Sequence, residues 1–231
     1  MISEHPRAAA VVLAAGVGRR LGAEVPKAFL PLGGRPILSV VAAAAAASPA
    51  ISSIVVTAPP GYEQEARACL EGLEIPSTVV TGGRTRQASV RAALSALGDE
   101  VDVVAIHDAA RPFAPPDLFT TVVLAVEAGA DGAVPVIPVT DTVKMVPGGR
   151  VSETLDREEL GLAQTPQAFR VTPLRKAHDE AAAEGREVTD DSMLLESGGG
   201  VVVVAGDPMN FKVTTMFDLA RAQARMGTGD G

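Results

Sequence analysis

Tryptophan is absent from the 231 residues, tyrosine and cysteine occur once each, and histidine occurs three times. With so few aromatics the core has to be built from Ala, Val, Leu and Ile, which is a soluble globular composition. The lone Cys69 excludes an intramolecular disulfide framework and a Cys-based zinc site; in EARACLEGL it reads as a small helical core residue. Positive charge is also scarce. Twenty Lys and Arg against 28 Asp and Glu leave a net charge of −8, which argues against a nucleic-acid binder, so an anionic ligand must meet locally clustered cations. No long apolar run is present either. The N-terminal run is interrupted by Gly16 and followed by Arg19 and Arg20, so neither a signal peptide nor a membrane span is expected, and a cytoplasmic location follows by default.

What is present is a rhythm. Short apolar runs at 8–15, 52–58, 77–80, 101–106, 132–137 and 201–205 alternate with stretches at Pro36–Ser48, Gly61–Gly72, Gly83–Leu97 and Pro115–Gly129, each long enough for a helix and bounded by Gly or Pro. Continuous Val-rich and Ile-rich runs suit strands buried on both faces. The series predicts an α/β fold, a doubly wound and mainly parallel sheet, as one domain over residues 1–231. The alanines at 42–47 extend the helix that starts near Pro36. Residues 138–158 break the rhythm: polar and β-branched residues alternate around Pro147, Gly148 and Gly149, which predicts a β-hairpin arm projecting from the sheet. Such an arm cannot bury both faces on its own domain, so a homodimer is expected through it.

In sheets of this kind ligands bind beyond the carboxyl ends of the strands. After the first run come Ala14, Ala15, Gly16, Gly18, Arg19, Arg20 and, past Pro26, Lys27. Small residues let backbone N–H groups approach phosphate oxygens, and the cations supply charge where a triphosphate would lie. The loop is not the dinucleotide-binding fingerprint, which needs glycine at Leu21, nor a P-loop, which needs GK[ST]. Taken alone it also fits an ordinary βα turn with solvated cations.

After the third run stand Gly82, Gly83, Arg84, Thr85, Arg86 and Ser89, where a base or ribose could be held or where a turn merely carries solvated arginines. After the fourth stand His107, Asp108, Ala109, Ala110 and Arg111. Asp108 is the candidate Mg²⁺ ligand, because this ion is commonly bound by one or two carboxylates together with substrate phosphates and water. A helix-capping Asp is the competing reading. His107 reads as structural or orienting. Farther on, Thr189-Asp190-Asp191 reads equally as a helix cap or as polar groups of the site, and Lys212, in an apolar setting, calls for an anionic partner that a substrate phosphate would supply.

Together AAGVGRRLGAEVPKAFLPLGGRPIL, GGRTRQASV, HDAARP, DREELGLAQTPQAF, VTDD and NFKVT resemble the 2-C-methyl-D-erythritol 4-phosphate cytidylyltransferase family, over almost the whole chain. The resemblance implies transfer of CMP from CTP to methylerythritol phosphate in the non-mevalonate isoprenoid pathway, with Mg²⁺ and release of pyrophosphate. It implies that Arg20 and Lys27 stabilise the transition state, and that Ala14, Ala15, Gly16, Gly83, Ser89 and Ala109 hold CTP, largely through backbone groups. Asp108 would lie next to the magnesium-bound triphosphate. By the same resemblance Arg157 and Lys212 bind the acceptor phosphate, while Arg111, Asp141 and Thr142 line the neighbour's site across the dimer. The chain departs from the family pattern at Arg84, where an acid is common, so no contact is carried over there.

Three other readings stay open at the level of sequence. A ribitol 5-phosphate cytidylyltransferase looks alike on the nucleotide side and differs mainly in the acceptor pocket. A non-catalytic nucleotide-binding regulator would not need Arg20, Lys27 and Lys212. A nucleotidyltransferase using another nucleoside triphosphate shares the first loop but has no reason to carry HDAARP and NFKVT together.

Overall fold

A computed structural model describes residues 7–16 and 25–227. The elements run β1 (Arg7–Leu13), β2 (Pro31–Leu32), β3 (Arg35–Pro36), α1 (Ile37–Ala46), β4 (Ile51–Ala58), α2 (Glu63–Ala68), β5 (Ser77–Thr81), α3 (Arg86–Ser95), β6 (Val101–Asp108), α4 (Pro116–Glu127) and β7 (Gly132–Pro138). They continue with β8 (Lys144–Met145), β9 (Glu153–Thr154), β10 (Gly161–Ala163), β11 (Gln167–Arg170), α5 (Val171–Ala183), β12 (Val201–Ala205) and α6 (Met216–Gly227).

The six apolar runs form six strands of the central sheet, ordered β12-β7-β11-β6-β1-β4-β5, with β10 sharing the β11 side of β7. Pairings of β1 with β4 and β6, of β4 with β5 and of β12 with β7 are parallel. Alternate residues of β1 enter different layers: Ala8, Ala10 and Val12 pack under α1 and α4, whereas Ala9 and Val11 pack under α3 and α5. This two-sided burial is why the run is apolar without interruption. The alanine run lies in α1, where Ala42 and Ala45 are fully buried and let the helix approach the sheet closely. Cys69 is partly buried at the end of α2, packed against the same layer.

Three features differ from expectation. Gln167–Arg170, outside the six runs read as strands, is a strand inserted antiparallel between β6 and β7; it is only four residues long, and Gln167 turns inward to hydrogen-bond rather than to pack. Helices α5 and α6 were not expected; both are polar on one side, and their apolar residues are spaced for a helix that covers the sheet with one face only. The arm over 138–158 is present, but its ladder is confined to Lys144–Met145 against Glu153–Thr154, with a tight turn at Pro147–Gly149. Among the described residues no helix is long and apolar enough to cross a membrane.

Candidate active site

Chain order makes a switch point at β1. Strands β4 and β5 are laid down on one side of it and β6 on the other, so the loops after β1 and β6 part and leave a crevice. A cleft of about 710 Å³ opens there. Its walls include Ala14, Ala15, Gly16 and Lys27 from the first loop, Gly83, Arg84, Arg86 and Ser89 around the start of α3, Asp108 and Ala109 from the end of β6, and Lys212 before α6. All of the residues to which the family resemblance gives a nucleotide-side role, Arg20 apart, thus converge on one cavity together with Lys212. Gly18, Arg19 and Arg20 lie outside the described residues.

The glycine pair is there for lack of room. A Cβ on Gly82 would collide with the Ala15 side chain, and one on Gly83 with Ala88. Ser89 shapes the same loop, its hydroxyl accepting from Gly83 N–H at 3.1 Å and donating to the Thr85 carbonyl at 3.0 Å. Thr85 caps α3 by accepting from Ala88 N–H, which is why the helix starts at Arg86 and not at Gly83. At three of the places expected to hold the nucleotide the backbone N–H is already engaged within the chain. The N–H groups of Ala14 and Ala109 donate to Thr57 and Leu13 within the sheet, and that of Gly83 donates to Ser89.

Asp108 is the electrostatic centre. Lys212 Nζ donates to its Oδ2 at 2.6 Å, and Arg86 Nε lies 3.4 Å from Oδ1. Burial alone would raise its pKa, but the Arg86 and Lys212 charges hold it well below the usual carboxylate range. Lys212 corrects the expectation of a buried ammonium: its side chain is 43% exposed, and its anion is Asp108. Lys27 Nζ donates to the Val213 carbonyl at 2.8 Å, which ties the first loop to the Lys212 segment. That segment is fixed in turn by Asp218, whose Oδ2 accepts from both N–H groups and both hydroxyls of Thr214 and Thr215.

His107 is an orienting residue, as expected. It is buried, and its partners assign the tautomer: the Arg111 carbonyl can only accept, so Nε2 carries the proton and Nδ1 accepts from the Thr165 hydroxyl. Thr165 Oγ1 accepts from Asp108 N–H, so the imidazole anchors the backbone of the carboxylate. Burial pushes the His107 pKa down to about 4. The unfolded chain takes up a proton near 6.5 and the folded one only near 4, so stability rises with pH across that window. Between pH 7 and pH 4 this residue should remove about 3 kcal/mol of folding free energy. Denaturant midpoints measured across the range test this, and His107→Gln should flatten the slope there. The carboxylates with lowered pKa, Glu63, Asp108 and Asp218, begin to be protonated in the unfolded chain only near pH 4, so they add to the slope at the acid end of the window and not through its middle.

Of the acceptor-side candidates, Lys212 lines this cleft, whereas Arg157, Arg111, Asp141 and Thr142 do not. Arg157 Nη1 donates to the Thr140 carbonyl at the base of the arm, beside exposed Asp141 and Thr142. Arg111 donates to the Asn210 and Ala163 carbonyls, bracing the strand and loop that flank Asp108. Of the pair read as a helix cap or site groups, Asp190 accepts from Ser192 N–H and Gln167, whereas Asp191 turns inward to Arg86 and His178. Sequence reasoning had no use for His178 and gave Arg86 no particular role. The signal that could have found them is an arginine three residues past the glycine pair and a histidine on the apolar stripe of α5.

This geometry, a switch-point crevice with a small-residue loop and cations gathered about one carboxylate, defines a nucleotide-binding α/β protein of nucleotidyltransferase type. The family model for 2-C-methyl-D-erythritol 4-phosphate cytidylyltransferase (IspD) matches residues 8–228, and the chain belongs to that family. A relative of that name from Saccharopolyspora erythraea is 45% identical over 93% of this chain and 97% of its own length. A "bifunctional enzyme IspD/IspF" from Clavibacter michiganensis is also 45% identical over 96% of this chain, which spans only 55% of that relative; the chain covers little more than half of several such proteins. Among solved structures, a 4-diphosphocytidyl-2C-methyl-D-erythritol synthase from Anaerococcus prevotii superposes with a TM-score of 0.86 at 28% identity, covering 97% of this chain and all of that one. A 2-C-methyl-D-erythritol 4-phosphate cytidylyltransferase from Thermus thermophilus gives 0.78 at 35% identity, covering 95% and 99%.

Proposed function

We propose that the chain transfers CMP from CTP to 2-C-methyl-D-erythritol 4-phosphate, giving 4-diphosphocytidyl-2-C-methyl-D-erythritol and pyrophosphate, in the cytoplasm. The observation that carries this is family membership across residues 8–228 in a chain whose cleft gathers Lys27, Asp108 and Lys212. A phosphate oxygen of the acceptor attacks the α-phosphorus of CTP in line, the bond from that phosphorus to the bridging oxygen breaks, and pyrophosphate leaves. An acceptor phosphate is already largely ionised at neutral pH, so no general base is required. Lys27 meets the charge that develops on the transferring group, and Arg20, earlier in the sequence, shares that role.

Magnesium fits this site as an ion delivered with the triphosphate. Among the described residues no three His, Cys, Asp or Glu side chains cluster into a ready cage, whereas Asp108 is a single ionised carboxylate facing the cleft. Asp108 would hold it together with phosphate oxygens and water, and the ion would supply neutralisation of the leaving pyrophosphate.

A second copy of the chain completes the acceptor side. The arm exposes Met145, Val146 and Val151 (46, 52 and 64%) on a ladder too short to stand alone. It also carries Asp141, Thr142 and Arg157 away from its own cleft, which supports delivery of these groups, with Arg111, to the partner's site. Lys212→Gln and Arg157→Gln should each raise KM for the acceptor about 10- to 100-fold while kcat changes only a few-fold, since they meet a charge present in the ground state as well. Steady-state kinetics with the acceptor varied at saturating CTP decides this. The function itself is tested by pyrophosphate release with Mg²⁺ and CTP. Turnover with methylerythritol phosphate supports it, preference for ribitol 5-phosphate moves the acceptor, and silence with both overturns it.

A further inference from the structure

Behind the cleft wall lies a carboxylate that the mechanism above does not use. Asp191 is 0% exposed, on the loop that follows α5, and accepts from Arg86 Nη1 at 2.6 Å and from His178 Nε2 at 3.1 Å. Arg86 in turn reaches Asp108, and Asp108 reaches Lys212, so charges alternate from the surface of the cleft into the layer between α3 and α5. A half-buried pair of this kind recovers little net stability once Asp191 has been stripped of water, and apolar side chains of the same volume would serve as well or better. Its retention therefore points to what stands at its exposed end.

Arg86 begins α3 and lines the cleft. A guanidinium presents a rigid fork that pairs with a carboxylate through two parallel bonds. Left to itself, Arg86 would close onto Asp108 in that manner and cap it. Instead Asp191 takes Nη1 in the short bond, and only the long 3.4 Å approach of Nε is left for Asp108. His178 commits its Nε2–H to Asp191 from the other side, while Asp190 is already held by Gln167 and Ser192 and offers Arg86 no competing site.

We infer that Asp191, backed by His178, is a positioning residue for the nucleotide end of the site: it holds the Arg86 guanidinium back so that Oδ1 of Asp108 stays open to the metal-bound triphosphate. The inference rests on the proposed function. Asp191→Asn releases the fork, which then competes with Mg·CTP for Asp108, and removing the fork as well removes the competitor.

Calorimetric titration with Mg·CTP in the absence of acceptor, made well below the melting temperature of each variant and paired with steady-state kinetics, tests this. Asp191→Asn should weaken Mg·CTP binding about tenfold and lower kcat/KM for CTP in step, with KM for the acceptor within about twofold. The double variant Asp191→Asn, Arg86→Gln should recover most of the lost Mg·CTP affinity. Arg91→Gln, which breaks the exposed pair between α3 and Asp179 of α5, should leave both readings unchanged. If Asp191→Asn does not fold, His178→Leu takes its place: it removes the N–H that backs Asp191, and a weakening in the same direction, again reversed by Arg86→Gln, is expected. Unchanged Mg·CTP affinity in Asp191→Asn, or a double variant as weak as the single one, overturns the inference even if melting temperatures fall. A wild type that binds Mg·CTP but transfers nothing overturns the function reading and leaves the binding test of Asp191 standing.

Discussion

Lys27→Met is expected to lower kcat by about 10²- to 10³-fold with KM for CTP changed by less than about fivefold, the size of effect seen when one preorganised donor is taken from a charge that grows in the transition state. Lys27 lines the cleft, and its ammonium is held by the Val213 carbonyl. It is therefore preplaced and needs no reorganisation when charge builds on the transferring group. Lys27→Arg should recover part of the rate, because the charge returns with a different shape. Rapid-quench measurement of single turnover separates this from product release. A variant that raises KM for CTP at constant kcat would mean that Lys27 merely binds the triphosphate.

Asp108→Asn is expected to cost about 10²- to 10³-fold in kcat/KM for CTP, because the change removes the carboxylate proposed for the metal and takes from Lys212 its anion. The fold should survive. Arg86 keeps Asp191 as a partner and Lys212, being 43% exposed, turns to water, so the loss of stability should stay near 1 kcal/mol. Thermal unfolding alongside kinetics checks both halves. Because the neighbouring cations hold Asp108 well below the usual carboxylate range, it stays ionised wherever the protein is folded, and any acid limb in the rate belongs to another group. Wild-type kinetics in Asp108→Asn would remove this residue from the site.

Much of this was legible in order of chain. Runs such as 101–106 could be read as strands because two-sided burial writes itself into consecutive residues. The loops after β1, β5 and β6 could be read as one site because parallel strands deliver their carboxyl ends to one side. Less was legible where a short segment changes direction or a charge chooses a distant partner. Four residues at Gln167–Arg170 are too few for a period, and their antiparallel insertion between β6 and β7 depends on neighbours far away in sequence.

Lys212 shows the same limit from the side of chemistry. Sequence reasoning rightly demanded an anion for it, but placed the ammonium in an apolar setting; its partner is Asp108, 104 residues earlier, at the rim of the cleft. Arg86 and Asp191 are 105 residues apart and meet only because α3 and α5 cover the same face of the sheet. By itself the sequence determined the layering and the inventory of the site, since burial and backbone geometry impose local periods and loops that short stretches reveal. Tertiary structure alone decided which carboxylate faces which cation, because that choice is made between side chains whose separation along the chain carries no information about their separation in space.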